Sequence, residues 1–203
     1  MSLTFPVLTK TQSGSLQEFI SFWSKSYAYD NAVLYNKIHH KVLSEKDIKD
    51  LYQWKNGMKL SQAKEKSLNT KIISKIDIIN SLRVTAEIDL DYFLKEFKEV
   101  SVVWKVFLLH IINSSIYPIY DQHIHRAFRF MQNEASDGIK ASMNEGIKLK
   151  FYFEEYYPFV KDSKIKDLKK MDEAFFAFGQ FINIGNQKML VESTFVKESL
   201  KIS

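Results

Sequence analysis

The sequence predicts an all-α protein, folded as a single compact multi-helix domain over residues 1–203. Three observations carry this. The 203 residues hold only three prolines and six glycines, so long stretches run without a breaker. Through those stretches apolar residues recur three and four positions apart, the period of a helix with one buried face. Ser, Asp and Gly stand where such stretches begin and end. A hydrophobic share of 45% with 14% aromatics supplies a core for a chain of this size. Residues 1–14 and 186–203 fit loosely packed tails.

Taken in order, residues 17–27 carry Phe19, Ile20, Phe22, Trp23 and Tyr27 close to helical spacing. Ser44 with Asp47 has the form of a capping box in which Asp replaces Glu, and it opens a helix through Ile48, Leu51, Tyr52 and Trp54. Gly57 can stop that helix in the left-handed conformation. After Ser61 one long helix is expected, because Leu68, Ile72, Ile73, Ile76, Ile79 and Leu82 make one apolar stripe with lysines on the other side. A shorter helix fits 89–97. Residues 101–113 are apolar nearly all round, so that helix belongs in the core. Asn113-Ser-Ser-Ile-Tyr-Pro reads as a turn, with Pro118 opening an amphipathic helix over 119–131. Residues 134–144 are polar, carry Gly138 and read as a loop with at most one helical turn. Two more helices fit 147–161 and 164–182, the latter rich in phenylalanine and ended by Gly185. The tail holds a patch, 189–196, that suits a strand or a last short helix equally. No internal repeat, low-complexity tract or linker interrupts the chain.

Composition narrows the function. With no cysteine there is no disulfide, thiolate metal site or cysteine nucleophile, which fits a reducing compartment. The N-terminus lacks the pattern of a secretory signal, and no apolar run reaches membrane-spanning length. A cytoplasmic protein is therefore expected. The formal charge of +5 and pI near 9.1 favour polyanions if the lysines gather on one face. Lysine outnumbers arginine, which suits phosphate attraction better than bidentate reading of bases. His123 and His125 sit two apart, on different faces of a helix, so no metal site is expected. No cofactor motif stands out.

The most informative run is Asp121-Gln-His-Ile-His-Arg-Ala-Phe-Arg. A carboxylate at a helix N-terminus is held by unpaired amides and the helix dipole, and stays ionised. Beside a flipped nucleoside, such a carboxylate can activate an amine or water and stabilise positive charge developing on the sugar. The alternative is that Asp121 is simply a helix cap. The run resembles the aspartate region of the helix-hairpin-helix (Gly-Pro-Asp) DNA glycosylase superfamily, matched by Asp121, His123, Ile124, Arg126 and Arg129 after Pro118. More narrowly, Trp54-Lys-Asn-Gly-Met-Lys-Leu, Tyr117-Pro-Ile-Tyr-Asp-Gln-His and Asp172-Glu-Ala-Phe-Phe-Ala-Phe-Gly-Gln-Phe are similar to a family of small bacterial proteins with an 8-oxoguanine-glycosylase-like fold.

The resemblance implies excision of a damaged or modified base from DNA, with lyase activity in members that carry an amine nucleophile. It casts Asp121 as the essential carboxylate. Lys105, sixteen residues earlier, becomes the candidate amine, and its apolar neighbours should lower its pKa. The other reading of Lys105 is a lysine that extends its ammonium to solvent. Arg126 and Arg129, with His123 beside Asp121, are the candidate DNA contacts, and solvated or salt-bridged arginines are the alternative. Lys55 and Lys59 flank a tight turn after Trp54 and join them as candidate DNA contacts; a core tryptophan before a helix stop is the plainer reading of that turn. One departure counts against catalysis: Val100-Ser-Val-Val-Trp stands where the hairpin glycines would be, so the hairpin is degenerate. Two alternatives follow, a DNA-binding module without chemistry and a helical subunit of a bacterial defence or regulatory complex with a protein partner.

Overall fold

A computed structural model of the chain describes residues 15–28, 31–132 and 143–183, and every regular element among them is helical. The described residues fall into two compact units. One lies within Met1–Tyr27, Gln122–Ile139 and Lys170–Ser203, the other within Ala28–Asp121 and Lys140–Lys169.

The first unit holds α1 (Leu16–Trp23), α8 (Gln122–Met131) and all but the start of α11 (Leu168–Phe181). Ser15 begins α1 with a reciprocal cap: its hydroxyl accepts from the Glu18 amide, and the Glu18 carboxylate accepts from the Ser15 amide at 2.7 Å. The core is aromatic. Phe19 meets Phe175 and Phe178 edge-on at 5.3 and 5.5 Å, and Trp23 lies 5.0 Å from Phe178 and 5.1 Å from Phe181. Gly179 lets α11 lie directly on α8, since a β-carbon there would fall 2.0 Å from the carbonyl oxygen of His123.

The second unit holds α2 (Ala32–Tyr35), α3 (Glu45–Asn56), α4 (Gln62–Lys71), α5 (Ile76–Arg83), α6 (Leu90–Glu96), α7 (Val102–Ile112), α9 (Glu145–Phe151) and α10 (Tyr157–Ser163). The expected capping box forms at α3, with the Ser44 amide donating to Asp47 Oδ2 at 2.9 Å, and Gly57 ends the helix at φ 77°. Asp89 caps α6 through the Tyr92 amide at 2.9 Å. As expected from its composition, α7 is the buried helix: Val106, Phe107, Leu108 and Leu109 are all fully enclosed.

Four boundaries differ from the sequence reading. The long helix after Ser61 is broken by a 3-10 turn at Ile73–Lys75, preceded by Ile72 at φ −123°. Here Thr70 and Ser74 donate their hydroxyls to carbonyls one turn back, a habit that bends helices, and β-branched residues crowd the junction. Second, α8 begins at Gln122 and not at 119. Tyr117, Pro118, Ile119 and Tyr120 stay non-helical and buried, with the Pro118 carbonyl accepting from the Tyr152 hydroxyl at 3.1 Å. Third, α9 and α10 are joined through a π-helical stretch, Tyr152–Tyr156, in which the Tyr157 amide donates to the Tyr152 carbonyl. Pro158 explains it, since it has no N–H to give and its ring would collide with a carbonyl one α-turn back. Fourth, Lys164 closes α10 at φ 56°, and α11 begins at Leu168 and not at 164. The tails, the loop around Gly138, the stop at Gly185 and the patch at 189–196 lie outside the described residues.

Candidate functional site

Asp121 is the residue immediately before α8, and its Oδ2 accepts from Lys55 Nζ at 2.8 Å. Both side chains are largely enclosed, Lys55 at 7% exposure and Asp121 at 15%. The geometry follows from α3. Lys55 lies in its last turn, beside the buried Trp54, and its ammonium sits 6.0 Å from the centre of the Phe107 ring of α7. So Lys55, one of the lysines expected to meet DNA, is turned inward onto the carboxylate. Lys59 stays exposed in the turn, next to an exposed Met58.

Around this pair lies a second polar group. His110 of α7 is wholly buried, with Nε2 2.7 Å from the Tyr35 hydroxyl and Nδ1 2.7 Å from the Tyr117 carbonyl. Burial above all drives its pKa down to about 3; the Tyr117 hydrogen bond opposes this, and the Lys55 and Lys169 charges reinforce it. Lys169 lies 4.9 Å from the centre of the Tyr35 ring and 5.2 Å from that of Trp54. The arrangement brings a carboxylate, an amine, a neutral imidazole and a second cation among aromatic rings.

Lys105 is elsewhere in the same unit. It is 7% exposed and reaches the Lys98 carbonyl at 3.5 Å. Burial lowers its pKa, as expected from its neighbours, with the Glu145 and Glu99 charges pulling the other way. It lines a cleft of about 520 Å³ that also receives Lys64, Lys71, Lys98, Glu99 and Glu145. Asp121 is not part of that cleft. At its floor the Val102 amide, the first of α7, donates to Glu145 Oε2, and Lys148 holds Glu145 Oε1 at 2.5 Å. Burial pushes the Glu145 carboxyl up, but these bonds and the Lys148 and Lys105 charges outweigh it and hold it below the usual value.

The remaining candidates lie in the first unit. Arg126 is buried, and its Nη1 donates to the Gly179 carbonyl at 2.9 Å and meets His123 Nδ1 at 3.2 Å. His123 also packs edge-on against Phe176 at 4.8 Å. Arg129 is half-buried and reaches Gln132 Oε1 at 3.3 Å. His125 is buried and, chiefly through that burial, has its pKa lowered to about 4. Among the described residues no group of three or more His, Asp or Glu could hold a metal ion, and no helix is long and apolar enough to cross a membrane.

Sequence reasoning missed the partnership of Lys55 with Asp121, since residues 66 positions apart carry no local signal of contact. It also missed the cleft, although Lys64 and Lys71 sit seven apart, two turns along one helix face, and so could have been grouped. The chain matches no known protein family, no characterised protein and no solved structure.

Proposed function

We propose that the protein acts on DNA by base excision, with Asp121 as the carboxylate and Lys55 as the amine it serves. The observation that carries this is the 2.8 Å approach of Lys55 Nζ to Asp121 Oδ2 in aromatic surroundings. A primary amine is a nucleophile only after losing its proton, and a carboxylate at hydrogen-bond distance can accept that proton. The amine then attacks the anomeric carbon as the bond to the base breaks, and the base leaves with the bonding pair and gains a proton. The C1′–O4′ bond then breaks as the nitrogen lone pair forms the imine to Lys55, and O4′ takes up the proton held by the carboxylate. The carboxylate also stabilises positive charge on the sugar while the bond is breaking. Lys105 has the desolvation an amine nucleophile wants, but Asp121 is not among the residues that line its cleft.

Borohydride trapping on duplexes carrying abasic, 8-oxoguanine, uracil or alkylated sites tests the proposal. The expected result is a covalent adduct that disappears in Lys55→Ala and Asp121→Asn and persists in Lys105→Ala. An adduct lost only in Lys105→Ala moves the nucleophile to the cleft. No adduct and no base release from any duplex ends the excision reading.

A second reading is favoured by the start of α7. Val100-Ser-Val-Val-Trp replaces the hairpin glycines expected of an excision enzyme, while the Val102 amide still holds an anion, the Glu145 carboxylate. In that reading the protein is a DNA-binding module without chemistry. It predicts salt-dependent duplex binding that survives loss of Lys55 and Asp121.

A further inference from the structure

We propose that the cleft between α4 and the start of α7 is a phosphodiester site, and that Glu145 is the side chain a phosphate displaces from it. Four lysines, Lys64, Lys71, Lys98 and Lys105, line the cleft against two carboxylates, so it carries a net positive charge. Lys71 donates to a neutral carbonyl, that of Glu99 at 3.0 Å, which does not balance its charge, while Lys105 reaches the Lys98 carbonyl at 3.5 Å and shares the charges of Glu145 and Glu99. The three outer lysines are exposed and Lys105 is buried behind them. Meanwhile the Glu145 carboxylate occupies the first amide of α7, as an anion at a helix N-terminus does.

Glu145 suits a displaceable occupant. Its side chain is 50% exposed, it stands at the first position of α9, and its other bond is to Lys148 in the next turn. Rotating the side chain outward frees the Val102 amide without moving a helix. A phosphodiester arriving there takes the amide and draws on several lysines together, and two adjacent phosphates along a backbone span more of the cleft than one carboxylate can. Lysine heads on flexible stems suit this sequence-blind contact. The inference takes the identity of its ligand from the nucleic-acid reading above, and it is independent of the excision chemistry.

Fluorescence anisotropy of a labelled short duplex, titrated at several salt concentrations with inorganic pyrophosphate as competitor, tests it. Glu145→Gln removes the competing charge and is expected to tighten duplex binding about five-fold. Lys71→Ala combined with Lys98→Ala is expected to weaken binding and to lower the salt slope by about 1.8, or about 0.9 per lost contact. Pyrophosphate is expected to displace the duplex from the wild type and to bind the double-lysine variant far more weakly. Unchanged or weaker binding by a folded Glu145→Gln overturns the displacement. If Glu145→Gln fails to fold, the lysine pair decides, and an unchanged slope overturns the site. Duplex binding that pyrophosphate cannot compete places the contact elsewhere and leaves the nucleic-acid reading standing. Pyrophosphate or an acidic peptide binding in the cleft with no duplex binding overturns the phosphodiester and that reading together.

Discussion

The Tyr35 hydroxyl and the Nε2 atom of His110 lie 2.7 Å apart in the enclosed centre of their unit, joining residues 75 positions apart in the chain. The direction of the bond follows from the other side of the ring. The Tyr117 carbonyl can only accept, so Nδ1 carries the hydrogen, Nε2 is the acceptor and Tyr35 donates. Protonating the imidazole would remove the acceptor that the Tyr35 hydroxyl uses and place a charge in a wholly buried site.

Acid should therefore unfold the protein through this histidine. Its pKa falls from an ordinary value of about 6.5 to about 3 on folding, so between those values the unfolded chain holds the extra proton. The stabilising contribution is complete above about pH 6.5 and is lost as pH falls toward about 3, at about 1.4 kcal/mol per unit. His125, lowered to about 4, acts with the same sign. Urea midpoints from about pH 7 down to about pH 4 should show a slope of nearly two protons, and His110→Asn should remove one of them. A midpoint independent of pH over that range contradicts the assignment.

The cap of α3 provides a second measurement. Ser44→Ala leaves the Asp47 amide without its acceptor and should cost about 1 kcal/mol, with Ser44→Thr recovering most of it. At the other end, Gly57→Ala puts a β-carbon on a residue at φ 77° and should cost about 1 kcal/mol. Chemical denaturation of the single variants and of the pair should give additive losses, because the two ends of the helix lie roughly 20 Å apart.

Gly179→Ala should be the most damaging small change in the first unit. The new methyl would meet the His123 carbonyl at 2.0 Å, and the obstacle is backbone that cannot rotate aside. Separating the helices would also draw the Gly179 carbonyl away from Arg126. A loss of about 2–4 kcal/mol is expected, read as a fall in thermal midpoint together with near-UV dichroism from the Trp23 and Phe178 cluster.

Breaking the Lys55–Asp121 pair should be costly one residue at a time and cheaper when both are replaced. Lys55→Met or Asp121→Asn alone leaves one ionised or polar partner enclosed and should cost about 3 kcal/mol. The double variant should cost clearly less than the two added together, and a double-mutant cycle measures the difference. Strict additivity would mean that the two groups do not interact.

Where residues argue through neighbours in sequence, the fold could be read in advance. Ser44, Asp47 and Gly57 mark both ends of α3 within one helix length, and the all-round apolar character of 102–112 marks it as buried. Three of the four misread boundaries came from long-range packing, from the Thr70 and Ser74 hydroxyls, or from the ring of Pro158. Pro118 looks like a helix opener, but its carbonyl is held by Tyr152, 34 positions on, and the helix waits until Gln122. The candidate site shows the same limit. Asp121 stood out because a helix start is a local pattern. Lys55 was noticed for the turn it flanks, and its contact with Asp121 depends on how α3 packs. The cleft needed residues from α4, α7 and α9 that no periodicity links.

The π-helical stretch before Pro158 gives this region an inheritance constraint. Such a stretch is a helix with one residue in excess, and a surplus residue just before a proline gives the chain a way to turn a carbonyl clear of the ring. Losing a residue among 153–155 would restore regular winding but drive the ring into the preceding turn, whereas replacing the proline alone would leave a bulge with no purpose. The two changes are tolerable together and harmful singly, so sequences descending from a common ancestor should keep both or neither.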